Sequence, residues 1–201
     1  MNFRITPTIT TALALVICCL GASTAAAATG STPTAPGTTP TPAPGGQEYG
    51  QPNPADMPVV PGRIAKRLAN GRAAAPANAP DAVQKAIWAT NAIIGRPYVY
   101  GGGHQSFISH GYDCSGTVSY ALHGGSLLKS PLDSGLFMHW GLSGAGLWIT
   151  IHTNPGHAYV DIAGLRLDTS AAEDPHGGSG PRWRPLRKSN SGYVTRHPLG
   201  Y

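Results

Sequence analysis

The sequence predicts an α+β domain in which N-terminal helices pack on an antiparallel β-sheet. Two helix-like segments lie between residues 81 and 123, and glycines end each of them. Residues 147–169 instead hold short β-branched or alternating segments that Pro-Gly and Ala-Gly pairs separate. Helices followed by strands within one domain are typical of the α+β class. The 201 residues suffice for one such domain with appendages.

The composition excludes two classes of protein. Charged residues make up 11% of the chain, which is too few for the paired heptads of a coiled coil. Only the N-terminal apolar run approaches the ~20 residues that cross a bilayer, so a polytopic membrane protein is excluded. The net charge of +5 comes from dispersed basic residues, and we expect no nucleic-acid partner.

Residues 1–28 have the three parts of a secretory signal peptide. A short positive start (Met1–Arg4) precedes an apolar stretch (Thr11–Leu20) and the small residues Ala25–Ala28. We therefore expect cleavage near residue 27 or 28, secretion to the cell envelope or beyond it, and no stable membrane insertion afterwards. A retained membrane anchor and lipidation at Cys18 or Cys19 are the alternatives. The apolar stretch is short for an anchor, and neither cysteine follows the small residue that lipoprotein processing prefers.

Residues 29–80 are expected to form a disordered linker. From residue 29 to about residue 61 the chain consists mostly of Thr, Pro, Gly, Ala and Ser, which cannot bury enough apolar surface to offset the entropy of ordering. Arg63–Asn70 is expected to add one or two helical turns, and Ala73–Pro80 returns to small residues. The linker would space the domain of residues 81–201 from a membrane or wall.

The first predicted helix covers Ala82–Ile94, with Asp81 as N-cap and Gly95 as the stop. One of its faces carries Val83, Ile87, Thr90 and Ile94. A second helix is predicted over Cys114–His123, before Gly124 and Gly125. Three strands are predicted over Leu147–Ile151, His157–Ile162 and Leu165–Thr169.

Cys114 is the candidate nucleophile. Removal of the signal peptide takes away two of the three cysteines, and a single cysteine in a secreted protein is a bystander, an intermolecular bridge or a reactive thiol. Its place at the start of a predicted helix favours the reactive thiol. Amide N–H groups and the positive end of the helix dipole stabilise a thiolate there, and they can donate to the oxyanion that forms when sulfur attacks a carbonyl carbon.

His157 is the candidate base, because it opens a strand directly after the turn at Asn154–Gly156. The histidines at positions 104, 110, 123 and 139 fall in loops or at helix ends, and we expect them to be ordinary surface residues. A rigid strand holds a base more firmly than a loop does. His157 therefore fits the role best.

The register of the predicted hairpin selects the carboxylate that would orient His157. If Ala163–Gly164 is a two-residue turn, alternation places His157, Tyr159, Asp161, Arg166, Asp168 and Ser170 on one face and Val160, Ile162, Leu165 and Leu167 on the other. Asp168 is then a diagonal neighbour of His157, within reach of its imidazole. Asp161 lies opposite Arg166, and we expect a cross-strand ion pair between them.

Three motifs occur in the order in which one known family has them. They are Pro97-Tyr98-Val99-Tyr100-Gly101-Gly102, Asp113-Cys114-Ser115-Gly116 and Gly156-His157-Ala158-Tyr159-Val160. Together they resemble the NlpC-type bacterial cell-wall cysteine peptidases, a papain-like family, over about residues 81–170. The resemblance implies a papain-like fold for residues 81–201. It also implies hydrolysis of peptidoglycan stem peptides, usually after D-glutamate, through an acyl-enzyme and without a cofactor.

The resemblance implies roles for single residues as well. Cys114 would be the nucleophile, His157 the base and Asp168 the third polar residue, at a position where the family most often has histidine. The positions that line the substrate site, and in many relatives hold the free amine of the peptide, are Tyr98, Asp113 and Ser115. No metal site is expected, because no pair of ligands has helical spacing or a CxxC partner. We expect a monomer.

Two other function classes are compatible with the sequence. An amidase, transpeptidase or acyltransferase on the same scaffold would use the same nucleophile with a different acceptor. A wall-binding or effector module without catalysis would leave Cys114 unreactive. The products formed from muropeptides separate the first class from an endopeptidase, and the reactivity of Cys114 toward iodoacetamide identifies the second.

Overall fold

The structure, a computed structural model, describes residues 56–201. The signal peptide predicted over residues 1–28 and the part of the predicted linker before residue 56 lie outside the described residues. The helices are α1 (Asp81–Asn91), α2 (Cys114–Gly124) and α3 (Ser134–Phe137). The strands are β1 (Val59–Val60), β2 (Lys66–Arg67), β3 (Ala73–Pro76), β4 (Leu142–Ser143), β5 (Ile149–Asn154), β6 (His157–Ile162), β7 (Leu165–Asp168), β8 (Arg182–Arg184) and β9 (Val194–His197).

The residues before α1 form a small three-stranded sheet. β3 is its middle strand, parallel to β1 and antiparallel to β2. Ala73, Ala74 and Ala75 are buried in β3, and their small side chains let the strand pack closely against α1. The prediction of a disordered linker is therefore wrong for the described residues before α1, because strands occur between residues 59 and 76. The helical turns expected over Arg63–Asn70 are replaced by β2 and a turn in which Gly71 N donates to Leu68 O (3.0 Å).

α1 begins one residue earlier and ends three residues earlier than the sequence predicts. Pro80 takes the N-cap position, and Asp81 lies in the first turn, where its carboxylate pairs with Lys85 at 2.7 Å. Asp81 is therefore not the cap. The residues after Asn91 form a turn that ends at Gly95, whose φ of +85° suits glycine.

Asn91 joins three separate elements. Its Oδ1 accepts hydrogen bonds from the backbone N–H of Ala73 (2.8 Å) and from Trp183 Nε1 (3.1 Å), and its Nδ2 donates to Ala73 O (2.9 Å). All three residues are buried. The side chain therefore links β3, the end of α1 and β8, and it satisfies polar groups that would otherwise be buried without partners.

The remaining strands form a six-stranded antiparallel sheet in the order β4-β9-β5-β6-β7-β8. The β6–β7 hairpin has the predicted register: Ile162 pairs with Leu165, Asp161 with Arg166 and Val160 with Leu167. Ala163 and Gly164, at φ +48° and +87°, make the two-residue turn. β5 starts two residues later and continues three residues further than the predicted strand at 147–151.

The core lies between the helices and one face of this sheet. α2 packs against β6 and β7 and also against α1. The predicted apolar face of the hairpin is in this core, with Val160, Ile162 and Leu167 fully buried and Leu165 packed against them. This arrangement confirms the predicted α+β class. None of the helices within residues 56–201 combines the length and the apolar character that a membrane span requires.

Replacing Asn91 by leucine should lower the free energy of unfolding by at least about 3 kcal/mol. The new side chain fills a similar volume but leaves the Ala73 N–H, the Ala73 carbonyl and the Trp183 indole N–H buried without partners. Urea denaturation of the two proteins measures the difference. The matched control is Asn78→Leu at an exposed asparagine, which should change stability by less than about 0.5 kcal/mol. Equal losses in the two variants would contradict the role of Asn91.

Candidate active site

The start of α2 is held by Asp113. This residue is the N-cap: its Oδ1 accepts a hydrogen bond from Gly116 N at 2.8 Å, and its backbone oxygen accepts one from Thr117 Oγ1 at 2.7 Å. Asp113 is the cap because a short carboxylate in extended conformation can satisfy an N–H of the first turn. Cys114 is thereby fixed as the first residue of the helix, with 8% of its surface exposed and no disulfide partner among the described residues.

A glycine loop lies directly against this helix start. Gly102 O accepts a hydrogen bond from Asp113 N (3.1 Å), and Gly101 N donates to Asp113 Oδ2 (3.0 Å). A side chain at Gly116 would overlap the Gly102 carbonyl, and one at Gly103 would overlap Gly116. The glycines are therefore required by close approach of two backbones, and this packing makes the loop and the helix start one rigid unit.

His157 is held from both ends. Its backbone N–H donates to Asn154 Oδ1 (2.9 Å), which closes the turn before β6. Its Nε2 lies 2.9 Å from Asp168 Oδ1. Asp168 is buried, and the same oxygen accepts a hydrogen bond from Ser170 N (2.8 Å). Because Nε2 of His157 is hydrogen-bonded to Asp168, Nδ1 is the ring nitrogen available to the Cys114 thiol.

The Cys114 thiol and the His157 imidazole shift each other's pKa. Burial raises the pKa of the Cys114 thiol, but the hydrogen bonds from His157 and from the backbone of Ala158 outweigh it, so the net pKa lies below the ordinary 9.0. Burial also opposes protonation of His157, yet the hydrogen bonds to Asp168 and Cys114 raise its pKa from 6.5 to about 9. Both shifts favour a thiolate–imidazolium pair at neutral pH. The structure thus brings together Cys114, His157 and Asp168, as the sequence predicts.

Tyr98, Asp113 and Ser115 form a wall next to the thiol. Tyr98 is bridged to Tyr112 and remains 43% exposed. Its pKa is raised by partial burial and then by the negative charges of Cys114 and Asp113. Asp113 and Ser115 are buried, and Ser115 Oγ donates to Asp113 Oδ1 at 3.3 Å. The three residues predicted to line the substrate site therefore do lie together beside Cys114.

His104 belongs to this wall, although the sequence suggested an ordinary surface residue. Its Nε2 lies 2.9 Å from Asp113 Oδ2 and 3.0 Å from Ser115 Oγ, and its side chain is 32% exposed. Asp113 already accepts from Gly101 N and Gly116 N. With His104 and Ser115 added, the four lone-pair positions of its carboxylate are occupied. The imidazole of His104, rather than the carboxylate of Asp113, therefore faces solvent at this point.

The expected ion pair between Asp161 and Arg166 does not form. Asp161 Oδ2 instead lies 2.9 Å from Nε2 of His152 on the neighbouring strand β5. Arg166 turns toward Asp168, with NH1 3.6 Å from Asp168 Oδ2. The backbones of Asp161 and Arg166 do pair as predicted, so the register is correct. The side chains differ because each has a second possible partner that the hairpin alone does not show.

Aromatic residues surround the His157–Asp168 hydrogen bond. Tyr159 stacks on His152 at 4.7 Å between ring centroids, and Tyr193 meets the edge of His157 at 6.4 Å. The guanidinium of Arg187 lies over Tyr159 and Tyr193, at 5.5 and 5.4 Å. Arg187 and Tyr193 come from the segment between β8 and β9, for which the sequence predicts no role. Within residues 56–201, no group of three or more potential ligands forms a metal site.

Solved structures with a similar fold include two mycobacterial proteins. RipB, a peptidoglycan hydrolase from Mycobacterium tuberculosis, has 24% identity and a TM-score of 0.47, over 60% of this chain and 66% of its own. RipD from the same organism, described as a non-catalytic NlpC/p60 domain protein adapted to peptidoglycan binding, has 20% identity and a TM-score of 0.46, over 60% of this chain and 100% of its own. The chain thus spans slightly less than two thirds of RipB. No family model and no curated relative matches the sequence.

Cys114 should react with iodoacetamide at pH values well below the ordinary thiol pKa of 9.0, because His157 stabilises its thiolate. His157→Ala should move the rise of the alkylation rate to higher pH by at least about one unit, since the cation that lowers the thiol pKa is lost. Alkylation rates across the pH range, followed by mass spectrometry, measure both curves. The control, His110→Ala at an exposed loop histidine, should follow the unsubstituted protein. A curve for His157→Ala that coincides with the control would contradict the pairing.

Proposed function

We propose that this protein is a secreted cysteine endopeptidase that cleaves peptidoglycan stem peptides, at the bond after D-glutamate. The observation that carries the proposal is the line Cys114–His157–Asp168, with a thiol at a helix start, an imidazole and a buried carboxylate. This arrangement suits nucleophilic attack on a carbonyl carbon. The stem-peptide substrate follows from the resemblance of the motifs. RipB, described as a peptidoglycan hydrolase, supports the same class of substrate.

Cys114 would attack as the thiolate, forming a bond from sulfur to the carbonyl carbon of the peptide. The N–H groups of Gly116 and Thr117 already bond to Asp113, so those of Cys114 and Ser115 are the donors available to the oxyanion. The imidazolium of His157 gives its proton to the leaving amine as the C–N bond breaks. A thioester of Cys114 remains on the enzyme.

Hydrolysis of the thioester uses the same residues, but His157 now acts as a base and no longer as an acid. Neutral His157 takes a proton from water, the resulting hydroxide attacks the thioester carbon, and the carbon–sulfur bond breaks. The products are the restored thiolate–imidazolium pair and a carboxylic acid, which loses its own proton to solvent and leaves as a carboxylate. Asp168 holds the ring orientation and accepts the Nε2 proton of His157 in a hydrogen bond throughout.

His104 and Tyr98 would meet the part of the peptide that precedes the scissile bond. Tyr98 is exposed beside the thiol, and His104 covers Asp113 and Ser115. In many relatives the positions of Tyr98, Asp113 and Ser115 hold a free amine. Here direct contact with that amine would pass to His104, while Asp113 and Ser115 would act by holding the imidazole in place.

Two alternative functions are tested alongside the proposed one. The thioester does not specify its acceptor, so an amidase, transpeptidase or acyltransferase would use the same first step. RipD, described as non-catalytic and adapted to peptidoglycan binding, represents the binding function. The lowered pKa of the Cys114 thiol favours catalysis over binding alone, because a binding module has no use for a thiolate.

Cys114→Ala should abolish hydrolysis of purified muropeptides, with a loss of at least about 10³-fold in turnover, because no other group replaces the attacking sulfur. The fold should persist, since the change removes one small side chain and typically costs no more than about 1–2 kcal/mol. Mass spectrometry of the muropeptide products measures turnover, and circular dichroism checks the fold. Cleavage by the variant at a near-normal rate would overturn the proposal. A transferred amine in the products would assign the protein to the acyltransferases instead.

Asp168→Ala should reduce muropeptide turnover strongly, and Asp168→Asn should reduce it less, because asparagine keeps an acceptor for His157 Nε2 and loses the charge. Asp161→Asn is the matched control: this aspartate also lies 2.9 Å from a histidine, yet that histidine is His152. We expect near-normal turnover for it. If Asp161→Asn were inactive and Asp168→Ala active, the assignment of the third catalytic residue would be wrong.

A further inference from the structure

Arg166 is a cation with no access to solvent. It lies on β7 two residues before Asp168, on the same face of the strand, and its side chain is 0% exposed. NH2 donates to Ala172 O at 2.7 Å, while Nε and NH1 have no hydrogen-bond partner among the described residues. A fully buried guanidinium is costly unless an anion compensates it. Its ion pair within residues 56–201 is with Asp168.

The two oxygens of Asp168 face different cations. Oδ1 accepts from His157 Nε2 and from Ser170 N, at 2.9 and 2.8 Å. Oδ2 is buried without a hydrogen bond and lies 3.6 Å from Arg166 NH1. The carboxylate thus serves an imidazole with one oxygen and a guanidinium with the other. Four alternating charges follow one another: Arg166, Asp168, His157 and the Cys114 thiolate.

We propose that Arg166 is a positioning residue that sets how tightly Asp168 holds the proton of His157. The inference rests on the proposed function, in which His157 must both hold a proton beside the thiolate and release it to the leaving amine. A buried carboxylate without a counter-cation would bind that proton too strongly. Arg166 offsets part of the negative charge of Asp168 and repels a second cation at His157.

The other charged or titratable groups near these four residues pair mainly with one another. Arg184 of β8 donates from Nε to the Asp168 backbone oxygen, and its NH1 pairs with Asp174 at 2.6 Å. Arg187 pairs with Glu173 at 3.5 Å. The remaining groups are Asp113 at the start of α2, His152 with Asp161 across β5 and β6, and the hydroxyl groups of Tyr159 and Tyr193. Among these groups, Arg166 is the cation whose carboxylate partner is the one that binds His157.

The test follows the titration of His157 by NMR in the full chain carrying Cys114→Ala, so that neither the thiol nor enzymatic activity enters the measurement. Adding Arg166→Met should raise the pKa of His157 by about one unit, a tenfold gain in proton affinity. Adding Arg166→Lys, which keeps the charge, should change it by no more than a few tenths. The control is Arg63→Met at an exposed arginine, with no expected shift. The His157 signal is the one that His157→Ala removes.

An unchanged or lowered pKa of His157 in Arg166→Met would overturn the inference. With Cys114 restored, the alkaline limb of kcat/KM on muropeptides should move to higher pH in Arg166→Met, and a purely structural role would lower kcat/KM without moving it. If the unsubstituted protein cleaves no muropeptide, the proposed function fails, while the NMR titration still decides the coupling.

If Arg166→Met is too unstable for the NMR titration, the cause would be that Asp168 is left buried without its cation. In that case the variant is compared with Arg166→Met combined with Asp168→Asn, in which both charges are gone. The combined variant should unfold at a higher temperature than Arg166→Met alone, because the uncompensated buried charge is removed. An equal or lower unfolding temperature would overturn the pairing of Arg166 with Asp168.

Discussion

The tight turn at Ala163–Gly164 is the constraint on which the site depends most. Side chains alternate along a strand, so a slip of one residue would carry every side chain of β7 to the other face. The observed register puts Asp168 at His157 and Leu167 in the core at the same time. Burial of the apolar face and assembly of the polar face therefore require the same pairing. Neither could change alone.

The polar face of the hairpin carries buried charges that compensate one another. Asp168, Arg166 and Arg184 have no exposed side-chain surface, and each would be costly by itself. Two arginines contact Asp168: Arg166 approaches Oδ2 of its carboxylate, and Arg184 donates to its backbone oxygen. The other carboxylate oxygen, Oδ1, is left to His157 Nε2 and Ser170 N. This geometry aims the carboxylate at a single imidazole nitrogen, which is what an orienting group must do.

Much of the domain could be predicted from local sequence signals. The two main helices, the β6–β7 hairpin and its register depend on glycine stops, side-chain alternation and a two-residue turn, all of which lie within a few residues of one another. Cys114, His157 and Asp168 could be found because each has a defined place in these elements. The α+β class followed from the order of the same elements along the chain.

The features that the sequence did not predict depend on partners far away in the chain. β9 pairs with β5 across more than forty residues, and strands of two to four residues carry no periodic pattern of their own. The N-terminal sheet was not predicted because its alanines are also typical of a linker, yet here close packing buries them. His104 reaches Asp113 through a glycine loop, and Asp161 takes a partner from β5. Residue spacing alone could not show either contact.

The contact between Gly102 and Gly116 shows that two residues of the motif Asp113–Gly116 are needed for different reasons. A side chain at Gly116 would strike a carbonyl group of the neighbouring loop whether or not the adjacent thiol reacts. The glycine is therefore required by shape, whereas the cysteine two positions before it would be required by the proposed chemistry. During divergence the two requirements can separate: if the proposed catalysis were lost, Cys114 would be free to change, but selection would still keep Gly116. In chains of this type, a retained glycine beside a missing cysteine would mark an inherited scaffold rather than a working enzyme.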